Sequence, residues 1–238
     1  MSPRFGLIAL IALLPACRAG SPPPAEPPAA KVPSAVPVYE EPRHRPVFRN
    51  RFVRVLDVVI PAGDTTGYHT HAAPIAGAVI QDARNWSQIQ GALPGEVRPV
   101  RAAGDVIENW DAGLPYTHRV GNVDSVPIHY VVGEWLASPG IEAPPLPETS
   151  SRHLVREGTV ARVYRTLLAP GESTESHTHA APGLTIQVTA GPVEDAGGVA
   201  ATSGGQGSGA WRWRDPGYVH VLRNRGERPA LVMEIDWR

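Results

Sequence analysis

Apolar and polar residues alternate along most of this chain in short runs that stop at glycine or proline. Residues 51–60 and 160–168 are rich in β-branched side chains and end at Pro61-Ala62-Gly63 and Ala169-Pro170-Gly171. Such runs predict strands closed by turns. Leu184, Ile186 and Val188 alternate with Thr185, Gln187 and Thr189, the two-residue period of a half-buried strand. Residues 128–135 and 230–237 predict two closing strands, and the glycine-rich stretch 197–209 a flexible hairpin loop. No segment combines helical caps with a 3.6-residue period, so the pattern predicts an all-β protein.

The punctuation recurs. Gly63 and Gly171 lie 108 positions apart (171 − 63), as do His69 and His177 within the matching runs His69-Thr70-His71 and His177-Thr178-His179. Further on, His118 to Asn122 matches His220 to Asn224 at an offset of 102 (220 − 118), which also relates Pro127 to Pro229 and Trp135 to Trp237. Matched punctuation over this length is the signature of a duplication, with the second copy shortened between its two motifs. The expected organisation is one β-unit over 47–145 and another over 150–238.

The chain has 238 residues and a formal net charge of −1, which gives no electrostatic reason to expect nucleic acid as a partner. Near the N-terminus, Arg4 precedes the apolar run Phe5 to Leu14. That run is shorter than the roughly 20 residues a membrane span needs but suits an export signal. It ends Leu14-Pro15-Ala16-Cys17, which resembles the lipobox of bacterial lipoproteins, and Cys17 is the only cysteine. Residues 1–17 are therefore expected to be a signal with Cys17 as the lipidation site. Residues 18–46, rich in proline and alanine, are expected to form a disordered tether. The lipobox resemblance implies a protein outside the cytoplasm, anchored to a membrane and facing the periplasm or cell exterior.

Six of the nine histidines sit at repeated positions: His69, His71 and His118, then His177, His179 and His220. In a strand, His-x-His delivers two imidazoles to one face, and the third must arrive from another strand. Three neutral imidazoles suit a divalent ion (iron, manganese, nickel, copper or zinc) and leave open positions on it. His129 has Leu231 as its counterpart and falls outside the repeated set, while His44 and His153 read as linker residues. No nucleophile elbow, phosphate loop, paired catalytic carboxylates or general base is identifiable.

These motifs resemble the cupin superfamily, specifically its two-domain bicupins. Gly63, His69 and His71, and Gly171, His177 and His179, match the opening of the family's first motif, G-x5-H-x-H-x3/4-E-x6-G. Gly209, Pro216, Gly217, His220 and Asn224 follow its second motif closely; Gly104, Gly113, His118 and Asn122 follow it more loosely. The resemblance implies two tandem jelly-roll barrels with metal held inside near one mouth. The family's glutamate ligand is missing: Ala76 and Leu184 occupy its position, with Gly191 in register for the glycine that follows. Each site is then expected to carry a full +2 charge and to favour a small anionic or chelating ligand, with Ala76 and Leu184 as greasy pocket wall. Tyr116 and Tyr218, two residues before the third histidine of each copy, are the other candidate pocket residues. Glu175 reads as a solvated loop residue, because its counterpart is Gly67. Two functions stay open: a three-histidine metal-dependent dioxygenase acting on a small anion, or a non-catalytic periplasmic module that captures a small molecule or metal. A structural cupin with unmetallated histidines is the third reading.

Overall fold

The computed structural model describes residues 34–110, 113–197, 203–205 and 207–238. The apolar run, Cys17 and residues 18–33 of the proline-rich stretch lie outside these residues. Among the described residues, no helix is long and apolar enough to cross a membrane.

The chain is all-β and folds as two tandem jelly-roll barrels, each built of two facing sheets. In the first barrel, one sheet has the strand order His44–Arg49, Val53–Ile60, Ile128–Trp135, Ile75–Gln81, Val106–Glu108. The facing sheet runs Val36–Pro37, His69–His71, Tyr116–Asn122, Asn85–Ile89. The second barrel repeats this with Arg152–Glu157, Ala161–Leu168, Ala230–Trp237, Gly183–Gln187, Trp211–Arg214 and Ser203–Gly204 against His177–His179, Tyr218–Asn224 and Val193–Gly197. The repeated Pro-Ala-Gly and Ala-Pro-Gly turns close through Gly63 (φ 70°) and Gly171 (φ 77°), a backbone region costly for any residue with a Cβ. The repeated asparagines brace the same corner. The Asn122 amide lies 2.8–3.0 Å from the carbonyls of Ile60, Pro61 and Val126. Asn224 does the same for Leu168, Ala169 and Arg228.

The first barrel begins earlier than the composition suggests. Residues 34–46, expected to be tether, belong to it: Val36–Pro37 pairs in parallel with His69–Thr70, and Val38 and Glu41 are buried. The prolines are tolerated because they sit at edges. Pro37 lies in a two-residue edge strand and Pro46 at the bulge of the edge strand His44–Arg49. His44 and His153 accordingly lie on strands and not in linkers; His44 is buried, whereas His153 is exposed and 3.7 Å from Glu148.

One apolar core serves both barrels. Val53, Val55, Ala76, Ala78 and Val131 of the first pack with Leu184, Ile186, Met233, Ile235 and Trp237 of the second, together with Trp110, Trp211 and Trp213. Burying each such aliphatic side chain stabilises the fold by about 1.5–3 kcal/mol relative to exposure. The contact is close enough to require Gly133, where a Cβ would come within 2.6 Å of Trp237 and 2.8 Å of Val53. Alternation along Ala230–Trp237 sorts the faces. Leu231, Met233, Ile235 and Trp237 join the shared core, leaving Val232, Glu234 and Asp236 to face the interior of their own barrel.

Candidate metal centres

Each histidine triple converges inside its barrel. His69 pairs with His118 across neighbouring strands, and His177 with His220, so strand register brings the third imidazole beside the His-x-His pair. In the second barrel the three Nε2 atoms lie 3.1–3.3 Å from one oxygen of Glu234, which arrives from the facing sheet. His179 and His220 place their Nε2 atoms 3.1 Å apart. Neighbouring ligands on an octahedral ion with bonds of about 2.1 Å lie about 3 Å apart, so the four donors match such an ion. In the first barrel, the His71 and His118 Nε2 atoms are again 3.1 Å apart, and the His69 Nε2 is buried with no partner, as a ligand awaiting an ion would be.

The sequence reading missed Glu234 and placed the carboxylate position wrongly. Leu184 and Ala76 do not face either cluster; both are fully buried in the shared core. The strand after His69-Thr70-His71 starts with Ile75 in the first barrel's own core, so by alternation Ala76 turns to the shared core, and Leu184 at the matching position does likewise. The second copy is therefore not a bare three-histidine site. Its carboxylate comes from the closing strand, where the matching residue of the first copy is Val132 (234 − 102). Only the first copy keeps three histidines and no acid.

The partners of the other ring nitrogens repeat the duplication. His69 Nδ1 is 3.0 Å from the Gly67 carbonyl and His177 Nδ1 3.0 Å from that of Glu175, whose own side chain is exposed. His118 Nδ1 meets Ser87 Oγ, and His220 Nδ1 meets Asp195. His179 Nδ1 is 2.7 Å from Asp236, which Arg214 also binds. Its counterpart Glu134 instead pairs with Arg54, leaving His71 Nδ1 buried and unpartnered. Such bonds aim imidazoles at a metal and raise their basicity.

The charge states differ accordingly. Burial, then the neighbouring rings, lowers the first-barrel histidines: His69 to about 4, His71 to about 3 and His118 to about 2. All three are neutral at physiological pH, the form a metal ligand needs. In the second barrel burial opposes ionisation of Glu234, but hydrogen bonds from His177, His179 and His220 outweigh it and hold the carboxyl well below its usual range. Burial would lower His220, yet Asp195 and Glu234 raise it. The first-barrel shifts have a consequence for the metal-free protein. Histidines whose folded pKa lies below the unfolded value of 6.5 contribute stability above pH 6.5 that is lost as pH falls towards the folded values. Thermal melting should therefore drop between about pH 6.5 and 4, and the drop should shrink in His69→Gln/His71→Gln/His118→Gln. An unchanged pH slope in that variant would contradict the neutral assignment.

Access separates the two centres most clearly. A cavity of about 460 Å³ opens onto the first cluster, with His71 and His118 at its floor and Val58, Ile60, Ile107, Val120 and Val132 among its walls. Tyr116 lines it, stacked on His71 at 5.0 Å. Arg98 and Arg101 also line it, and neither has an ion-pair partner among the described residues. A second cavity, of about 340 Å³, lies in the other barrel, but none of His177, His179, His220 or Glu234 lines it. Tyr218 does not line it either: its hydroxyl is bonded to Arg212 and Asp195, so it braces the protein and is not pocket wall. His129 faces away from both clusters and bonds Asp57.

Two jelly-roll barrels in tandem, each with an interior histidine cluster, are the arrangement that the repeated sequence motifs lead one to expect. Comparison with solved structures supports this fold by shape. No protein-family model matches the sequence, and no curated protein matches it. Among solved structures, it is similar to AerE from Microcystis aeruginosa (TM-score 0.57, 15% identity, covering 83% of this chain and 98% of that one). It is also similar to the oxalate decarboxylase of Lactobacillus farciminis in its formate complex (TM-score 0.54, 12% identity, 79% and 77% covered). A third neighbour is the salicylate 1,2-dioxygenase of Pseudaminobacter salicylatoxidans (TM-score 0.51, 9% identity, 78% and 71% covered).

Proposed function

We propose that the first barrel is a metal-dependent site for a small anionic, chelating substrate, and that its reaction is of the dioxygenase type. The observation that carries this reading is the pairing of an acid-free histidine cluster with the 460 Å³ cavity above it. His69, His71 and His118 would hold a divalent ion whose charge no protein carboxylate offsets, so an anion from the cavity is the natural complement. A redox-active ion supplies charge stabilisation and electron transfer towards dioxygen when bound. The chain's own residues do the rest. Arg98 and Arg101 draw the anion to the mouth, the aliphatic walls exclude water, and Val132 leaves a ligand position free.

The second barrel, with four buried donors that do not line the cavity described there, reads as a closed centre that holds its ion for stability. Two of the structural neighbours are named for reactions of carboxylates, oxalate and salicylate, which supports an anionic substrate here. We further propose that the protein is exported and membrane-anchored through Cys17.

Metal analysis of untagged protein should find two ions per chain, with oxalate binding to the Co(II)-loaded form. Arg98→Ala/Arg101→Ala should weaken oxalate about tenfold, the scale of losing a charge-assisted contact, and His69→Ala/His71→Ala should abolish its binding while keeping one ion. Oxygen consumption with a panel of carboxylates, enols and thiols then tests the reaction type. Oxalate binding that survives loss of His69 and His71 would overturn the reading; binding without turnover for any substrate would leave a capture module in place of an enzyme.

A further inference from the structure

We propose that the acid taken by the first barrel carries an apolar body, the size of a short branched chain or a single ring, and that Val58, Ile107 and Val132 select it. The inference rests on the reading of that barrel as an anion-binding metal site and names the class of substrate the site takes.

The cavity is cut into the first barrel's own apolar core. Val58, Ile60, Ile75, Ile107 and Val132 belong to that core and also line the cavity. Its volume of about 460 Å³ is that of roughly fifteen water molecules at about 30 Å³ each. Oxalate fills a small part of such a space and leaves the aliphatic walls against water, whereas apolar surface gains by leaving it. The polar groups of the lining are already spent on the protein. Asn85 donates to the Tyr130 hydroxyl at 3.1 Å, Asn109 Oδ1 accepts from the Ile75 amide at 2.7 Å, and Ser87 Oγ is 3.0 Å from His118 Nδ1. Glu108 pairs with Arg156. A ligand with its anionic head at the histidines therefore has a body that meets carbon.

The second copy shows that the fold does not demand these walls. Val58 matches Thr166 (166 − 58 = 108), whose hydroxyl donates to Glu234 at 3.0 Å. Val132 matches Glu234 itself (234 − 132 = 102). Ile107 faces Gly77 across the sheet, as Arg212 faces Thr185, the counterpart of Gly77 (185 − 77 = 108). Arg212 in turn donates to the Tyr218 hydroxyl. Three positions that carry polar side chains bonded to protein in the closed barrel are thus aliphatic in the open one. The same strands carry both sets, so folding tolerates either. An aliphatic residue facing an open cavity is of use to a ligand that covers it with carbon. A hydroxyl or charge in its place would have to give up its water to the same ligand, which costs affinity.

The test uses the full chain loaded with Co(II) and acids that share one chelating head and differ in body. These are pyruvate, α-ketobutyrate, α-ketovalerate and α-ketoisocaproate, with α-ketoglutarate as a body of similar length that ends in a charge. By calorimetry, each added methylene should tighten binding about twofold to fourfold, and α-ketoglutarate should bind more weakly than α-ketoisocaproate. Val58→Thr, Ile107→Thr and Val132→Thr, made singly, should each weaken α-ketoisocaproate about fivefold and pyruvate far less. Retention of both ions reports that each variant is folded. A flat series in the wild type overturns the apolar body. So does tighter binding of α-ketoglutarate than of α-ketoisocaproate, which would assign Arg98 and Arg101 to a second anionic end. A climbing series that none of the three variants flattens places the body elsewhere and overturns the assignment of the walls. In each of these cases oxalate binding leaves the anion-site reading standing. If neither oxalate nor pyruvate binds the wild type, that reading falls and takes the inference with it.

Discussion

Exchanging Val132 and Glu234 between the barrels should exchange the properties of the two centres. Val132→Glu places a carboxylate where Glu234 stands in the second copy, on the strand position that faces the histidine cluster. It should tighten divalent-metal binding in the first barrel by at least about 10–100-fold, since even partners outside the ligand shell shift affinity that much. The same variant should lose oxalate binding, because the new carboxylate both occupies a ligand position and cancels one unit of the ion's charge. Glu234→Val should do the reverse in the second barrel, lowering metal affinity by a similar factor. Metal titrations of the two single variants and the exchange decide it. Unchanged affinity in Val132→Glu would mean that residue 132 does not reach the ion, and equal oxalate binding would remove the link between missing acid and anion preference.

Leu184→Glu should destabilise the protein by more than about 4 kcal/mol and leave metal affinity unchanged. Leu184 is fully buried in the apolar contact between the barrels, beside Gly133, Trp213 and Trp237. An ionised side chain there has no partner, and a neutral one leaves its carboxyl without hydrogen bonds. Ala76→Glu, on the matching face of the first barrel, should behave the same way. Chemical denaturation with metal titration alongside separates the two effects. A gain in metal affinity in either variant would restore the register that counts these residues as pocket wall.

How far the chain could be read without its fold differs from residue to residue. The His-x-His pairs and the third histidines were legible because strand periodicity and turn residues are local, and because each pattern occurs twice. Glu234 left a trace that was open to reading: two acids, Glu234 and Asp236, alternate with Leu231, Met233 and Ile235 in a strand otherwise apolar. An acid on the inward face of a closing strand needs a partner, and histidines are the partners available. The family spacing pointed elsewhere, to Leu184, because the short turn after His179 sets which residue of the next strand points inward, and spacing cannot count faces across a turn. His44 and Glu41 were hidden for a different reason. A proline-rich composition argues for a tether only while the prolines lack an edge to occupy, and here both Pro37 and Pro46 have one.

The all-β class, the duplication and the six repeated histidines follow from the sequence by itself, since each depends on residues close together in the chain or on one copy matching the other. The tertiary structure alone decided that one centre is closed by Glu234 and the other open beneath a cavity, that Ala76 and Leu184 serve a core shared by both barrels, and that His44 belongs to the first barrel. Those outcomes depend on which strand of one sheet faces which strand of another. That pairing is set when the barrel closes, by burial of apolar faces far apart in sequence, and no spacing along the chain encodes it directly.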